Sequence, residues 1–263
     1  MRLPTLAALA VGFTAVVGAA APAQAITFAD FSATDSNSNI QWTQSAAGTG
    51  GSLNTTNALG AASADVKFSF LTPGLASLAN LPAQFNFNGT VANGTPAINT
   101  FGFLIQNGLT GNFSFTYTGA NVTLGSVNLT TGANLLSGVF GGANITGMNN
   151  ATAGGVNDAT SSGGVLAFTS DFVTFPGGTQ KAYSLSMTSI ADPIFGTPGL
   201  TTAPGQSLGN FAAVTTGSFE ADLTGGGGQG GVPEPGTWAL MIVGFASVGW
   251  AIRRKSRPDP LTA

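Results

Sequence analysis

The feature that most constrains the fold is a period-two alternation of apolar and polar residues, which recurs in six places between Ile26 and Thr224. Because successive side chains of a β-strand point to opposite faces, this pattern is typical of antiparallel strands with one buried face. The sequence therefore predicts an all-β body over residues 26–224, an antiparallel β-sandwich of jelly-roll type. A β-solenoid is the alternative, although no fixed repeat period occurs. The rings expected inside are those of Phe68, Phe70, Phe103, Phe113, Phe115 and Tyr183.

Turn signals divide the alternating stretches. The dipeptides Asn93-Gly94, Asn107-Gly108 and Pro176-Gly177 predict turns. The alternation slips by one residue near Gly125, which predicts a β-bulge inside one strand. Residues 144–164 are rich in Gly, Asn, Thr and Ser and predict a long irregular loop. Residues 163–175 carry apolar side chains on both faces, which favours a central strand or a bent pair of strands.

The charge and residue composition excludes several classes of function. Between Ile26 and Val232 there are two bases, Lys67 and Lys181, against eight acids, which makes a net charge of 2 − 8 = −6. Without a basic patch to release counterions, nucleic acid is not expected as a partner. The chain has no Cys and no His, so it offers neither a disulfide framework nor a histidine base. We expect no cofactor and no catalytic activity.

Three features of the body remain open to a functional interpretation. Glu220 and Asp222 lie two residues apart on one strand face, where they form a carboxylate pair for sugar chemistry, a cation site or part of a solvated face. The sequence Asp35-Ser-Asn37-Ser-Asn39 resembles the opening of a calcium loop, but the Gly and Glu that an EF-hand needs further on are missing. It is either a looser calcium contact or a surface turn. Trp42 is either a core residue or a platform for a sugar ring.

Residues 1–25 have the organisation of a secretory signal peptide. Arg2 precedes an apolar helical stretch, and Ala23-Gln24-Ala25 is an A-x-A cleavage site. We expect signal peptidase to cleave after Ala25, so that the exported chain begins at Ile26. A retained N-terminal anchor is the alternative.

The C-terminal region has three parts after a Gly-rich linker at 225–232. Pro233-Glu234-Pro235 is followed by an apolar run, 237–252, which would be a helix roughly 24 Å long and close to the thickness of a bilayer core. Arg253, Arg254 and Lys255 then form a basic stop, which favours a cytoplasmic location for the short tail 258–263. We therefore predict a single transmembrane helix at 237–252; a buried core helix is the alternative.

This tail resembles the PEP-CTERM sorting signal in its Pro-Glu-Pro-x-x-Trp-Ala variant, over residues 233–257. The motif residues are Pro233, Glu234, Pro235, Trp238 and Ala239, ahead of the basic residues. The resemblance implies a Gram-negative bacterium and an exosortase as processing partner. It also implies a transient anchor in the inner membrane, a final location at the cell surface or outside the cell, and an association with exopolysaccharide and biofilm. The body itself resembles no family.

Two functions from different classes fit these observations. The first is a non-catalytic surface or matrix protein that is sorted through its tail. The second is a secreted carbohydrate-active enzyme that uses carboxylates only.

Overall fold

The computed structural model describes residues 25–57, 60–125, 127–160 and 163–223. The predicted signal helix and the transmembrane helix at 237–252 lie outside this part of the chain. Fourteen strands and one 3₁₀ turn, Pro73–Leu75, make up the described body. The strands are β1 (Ile26–Ala33), β2 (Ile40–Gln44), β3 (Gly51–Thr55), β4 (Ala64–Phe70), β5 (Leu81–Val91), β6 (Ile98–Thr100), β7 (Phe103–Tyr117), β8 (Val122–Leu124), β9 (Val127–Leu129), β10 (Asn134–Met148), β11 (Gly154–Ala159), β12 (Val165–Thr169), β13 (Lys181–Ala191) and β14 (Phe211–Ala221).

All the strand pairings are antiparallel, and eight of the strands form a closed hydrogen-bonded ring in the order β1-β4-β5-β7-β10-β11-β13-β14. The β1–β14 pairing, in which Ile26 lies opposite Ala221, closes the ring. The short strands β2 and β3 pair with each other. β2 also pairs with the part of β14 that β1 leaves unpaired, and β3 with the part of β5 that β4 leaves unpaired. The prediction of an antiparallel all-β body is therefore confirmed. The described residues include no helix with the length and hydropathy to span a membrane.

Aromatic rings fill the interior from strands on opposite sides of the ring. Phe113 on β7 and Phe219 on β14 are four strands apart in either direction, yet their ring centroids are 5.1 Å apart. Phe115 stacks on Phe85 with a centroid distance of 4.7 Å. Burial of such rings is the main source of stability in a chain without disulfides. Of the rings predicted inside, all except one are buried, namely Phe68, Phe70, Phe113, Phe115 and Tyr183.

The exception is Phe103, whose side chain is 42% exposed, so its predicted burial is wrong. The neighbouring Leu104 is buried in its place. The cause is an extra residue on β7 between Gln106 and Leu109, where Gly108 has φ 79° and the register with β10 shifts. Such a β-bulge exchanges the faces of all residues that precede it. Asn107-Gly108 is therefore this bulge and not the predicted turn, whereas Asn93-Gly94 is a turn as expected.

Three further predictions about segments need correction. The slip near Gly125 is the turn of a separate hairpin between β8 and β9, because Gly125 has φ 64° and reverses the chain. Residues 144–164 contain the end of β10 and the whole of β11, which pairs with β13, and are not one long loop. Residues 163–175 contain only the five-residue strand β12, which pairs with β10 alone.

Candidate functional site

Glu220 and Asp222 follow the alternation of β14, on the side opposite its buried residues. Phe219 and Ala221 are buried, whereas both carboxylates remain partly exposed. The Cα partners of Glu220 are Thr27 on β1 and Ala182 on β13, neither of which is acidic. Glycoside hydrolysis needs two carboxyl groups facing each other across the sugar. The pairings of β14 place no carboxylate directly opposite Glu220, and the acid of β1 on the same face is Asp30, which lies opposite Ser218.

The Asp35 segment is a local turn whose polar groups bind one another. Asp35 accepts hydrogen bonds from the backbone N–H of Asn37 at 2.9 Å and from its side-chain amide at 3.0 Å. Asn39 is buried, and its side chain makes two hydrogen bonds with the backbone of Thr215, at 2.7 and 3.1 Å. The neighbouring pocket of about 190 Å³ includes one further carboxylate, that of Asp65. Asn39 is therefore not available as a ligand for the looser calcium contact. The described residues contain no group of three or more acidic side chains that could hold a metal.

Trp42 is a core residue and not a platform for sugar. Its side chain is fully buried on β2, and its indole N–H donates to the carbonyl oxygen of Leu208 at 2.9 Å. The ring also fits closely against Gly51, because a Cβ at that position would collide with the indole. The contact with Leu208 attaches the 201–208 segment to β2.

A buried polar pair lies where the sheet splits between β11 and β12. The sequence pattern did not reveal it. Asp158 on β11 and Tyr183 on β13 are cross-strand neighbours, and both side chains are buried. Asp158 Oδ2 and the Tyr183 hydroxyl have no hydrogen-bond partner within the described residues. The carboxylate fills the space beside Gly164, where a Cβ would overlap Oδ1. It also lies near the bulge at Gly141, whose backbone N–H faces it.

Burial controls the ionisation of both groups. It raises the pKa of the Asp158 carboxyl, and the backbone N–H groups of Ala159 and Gly141 oppose this by favouring the charged form. Burial also raises the pKa of the Tyr183 hydroxyl well above its usual value, and the Asp158 charge adds to that effect. The burial of these two polar groups costs the folded state stability.

This cost predicts a dependence of stability on pH. Above the raised pKa of folded Asp158, both states are charged and the burial cost is fully present. As the pH falls through that pKa toward the value of an unfolded aspartate, about 3.9, the folded state binds the proton first and gains stability. We therefore expect the unfolding free energy of the wild type, relative to Asp158→Asn, to increase between pH 7 and pH 4. Urea unfolding of residues 26–224 at several pH values measures this difference.

Asp65→Asn is the matched control, because it removes one negative charge from an exposed position. A wild-type advantage over Asp158→Asn that stays flat or shrinks on acidification would contradict the assignment.

The buried cation of the body is also structural. Lys181 on β13 donates from its amine to the carbonyl oxygen of Pro176 at 3.1 Å and to the hydroxyl of Thr179 at 3.1 Å. These neutral acceptors hold the 176–180 turn against the strand.

The sequence motif that carries function lies in the tail. The family model of the PEP-CTERM protein-sorting motif matches residues 231–255. This chain carries a PEP-CTERM sorting signal. Pro233, Glu234, Pro235, Trp238, Ala239, Arg253, Arg254 and Lys255 all fall within the match, and all lie outside the described residues. No curated protein and no solved structure matches the chain significantly.

The sorting signal defines the route of the protein. A PEP-CTERM protein is exported, passes through a membrane-anchored precursor and is processed by an exosortase-type membrane enzyme. Of the predicted signal-peptide cleavage site, Ala23 lies outside the described residues, and Ala25 is the first described residue. The next residue, Ile26, begins β1.

Proposed function

We propose that the chain is a non-catalytic protein of the cell surface or extracellular matrix of a Gram-negative bacterium, where it associates with exopolysaccharide in the biofilm. The PEP-CTERM motif at 231–255 carries this proposal. In this proposal signal peptidase removes residues 1–25, and the helix predicted at 237–252 holds the precursor in the inner membrane. Exosortase then acts near Pro233-Glu234-Pro235. Because β1 starts at Ile26, cleavage after Ala25 leaves the whole sheet intact.

The surface of the body supports an association with hydrated polymers. Charged residues are only 6% of the chain, against about 25% in ordinary soluble domains. The outward positions of the strands are mainly Asn, Thr, Ser and Gln, for example Asn86, Ser114 and Ser184. Such side chains donate and accept hydrogen bonds without the desolvation cost of a charge, which suits an uncharged, hydroxyl-rich polymer.

The proposal of a non-catalytic role rests on which side chains the protein offers for catalysis. The whole chain lacks His and Cys, which removes the commonest base and the commonest strong nucleophile. The buried acid Asp158 lies next to an aromatic core, and Glu220 has no carboxylate opposite it. An enzyme that uses carboxylates alone could rely on Glu220 and Asp222, or on Asp35 and Asp65 at the pocket described above.

The test uses purified residues 26–224 and exopolysaccharide from the source organism. We expect the body to sediment with the polymer and to leave the polymer's molecular mass, measured by size-exclusion chromatography, unchanged. Glu220→Gln and Asp222→Asn should bind as the wild type does. A fall in polymer mass that disappears in either variant, with the fold preserved, would assign the carboxylate enzyme instead. A body that stays in the supernatant would remove the polysaccharide association.

A further inference from the structure

An exposed apolar surface lies on the outer face of β6, β7 and β10 at one end of the body. Ile98, Phe103 and Met148 are 47%, 42% and 51% exposed. Met148 lies directly opposite Phe103, and Ile98 lies opposite the half-buried Ile105, so their side chains are neighbours on one face. Phe101 in the β6–β7 turn is fully exposed beside them. We call Ile98, Phe101, Phe103 and Met148 the β6–β7 patch.

The turn that carries Phe101 is strained. Thr100 and Phe103 pair, so the loop has two residues, Phe101 and Gly102, with φ of 52° and 83°. Two-residue turns with both φ positive favour Asn and Gly, and a bulky aromatic residue at the first position has a cost in backbone strain. Asn149 holds the turn by donating its backbone N–H to the Gly102 carbonyl oxygen at 2.7 Å. Within the described body the ring of Phe101 contacts nothing that would offset this cost.

β6 also presents an open strand edge at Asn99, next to Ala97, whose backbone N–H donates to the carbonyl oxygen of Gln206 at 2.9 Å. Within the described residues it pairs with β7 on one side, and no strand pairs on the other. By the antiparallel alternation, the backbone N–H and C=O of Asn99 point away from β7. β6 contains no Lys and no Pro, the residues that commonly block such an edge. A partner strand would therefore find backbone groups and an apolar face side by side.

The charge distribution favours a second copy as that partner. The body as a whole is acidic, but no Asp, Glu, Lys or Arg occurs between Lys67 and Asp158, the segment that contains β6, β7 and β10. Two copies can meet there without like charges facing each other, which would otherwise oppose self-association. A lipid surface would leave the Asn99 backbone groups unpaired, and a polysaccharide would leave Ile98 and Met148 against hydroxyl groups.

We propose that the β6–β7 patch is the contact surface of a homodimer, in which the β6 strands of two copies pair antiparallel about Asn99. The pair continues the sheet from one copy into the next. The apolar side chains flanking β6 then pack against their symmetry equivalents, as an isologous interface requires.

Sedimentation of residues 26–224 over a dilution series tests the proposal. The fragment is suitable because the aromatic core of the described residues lies entirely inside it. We expect the wild-type mass to rise toward twice the monomer value with concentration. Ile98→Asp and Phe103→Asp should weaken the dimer at least about tenfold, because the symmetric contact places like charges together. Val165→Asp is the control, since it places the same charge at an exposed valine of β12.

A second variant tests the strand pairing separately. Asn99→Pro removes an N–H that β7 does not use, and should weaken the dimer at least about tenfold relative to Asn99→Ala, which removes only the side-chain oxygen that accepts from the Gly102 N–H. Circular dichroism checks that each variant retains the β fold. A wild type that stays monomeric throughout overturns the proposal, as does a Val165→Asp variant that dissociates like Phe103→Asp. Phe103-dependent binding of a monomer to exopolysaccharide or to phosphatidylglycerol vesicles would assign the patch to glycan or lipid instead. An unchanged dimer in Asn99→Pro would overturn the strand pairing.

Discussion

Replacement of Pro233, Glu234 and Pro235 by alanine is expected to hold the protein at precursor size in the membrane fraction, whereas the wild type is shortened and released. The two prolines fix φ near −65° and remove two backbone N–H groups, so the segment cannot extend the predicted helix at 237–252 toward the body. Alanines would permit that extension and would remove the Glu234 carboxylate from the motif matched at 231–255. Fractionation followed by mass spectrometry of the intact protein measures the outcome.

The chain offers a matched control for this experiment. Pro258-Asp259-Pro260 repeats the pattern of two prolines around an acid, but it lies after the matched residues. Its replacement by alanines should leave processing unchanged. The N-terminus of the released wild type should be Ile26, which tests the signal-peptide prediction with the same sample. Release of the Pro233 to Pro235 variant at wild-type size and rate would show that these residues are not the processing signal.

The alternation identified strands because it depends on local burial. Where a strand has one exposed and one buried face, as around Phe113 and Phe115, polar residues mark the exposed face and apolar residues mark the buried face. The alternation gives the wrong face for Phe103 because one inserted residue, at Gly108, exchanges the faces without changing the local pattern. Nothing in the residue types around Asn107-Gly108 distinguishes a bulge within a strand from a turn between strands.

Features that depend on pairing between strands far apart in the chain could not be predicted from the sequence. The closure of the ring needs β1 beside β14, which are separated by most of the chain. The burial of Asp158 follows from the split between β11 and β12, and an acid in a stretch of Gly, Asn and Thr looks like a surface residue. The sorting signal was identifiable because its chemistry lies in a contiguous segment. No folded arrangement is needed to recognise it.

Phe115→Ala is expected to remove about 3–5 kcal/mol of the body's stability. Phe115 is fully buried on β7 and contacts aromatic side chains from four other strands of the closed sheet. Those rings are Phe31 at 4.9 Å, Phe68 at 5.0 Å, Phe85 at 4.7 Å and Phe219 at 5.5 Å. Because the surrounding strands are joined in a closed ring, they cannot easily collapse to fill the space, which places the cost toward the upper end.

The experiment compares three variants of residues 26–224 by urea unfolding monitored with far-UV circular dichroism. Thr116→Ala changes the adjacent residue on the outer face of β7 and should cost less than about 1 kcal/mol. Domains of this kind are stable by only about 5–15 kcal/mol, so Phe115→Ala leaves a small margin. Phe115→Leu keeps an apolar side chain of intermediate volume and should fall between the two, which keeps the comparison measurable. Equal costs for Phe115→Ala and Thr116→Ala would show that the aromatic interior does not hold the two sides of the ring together.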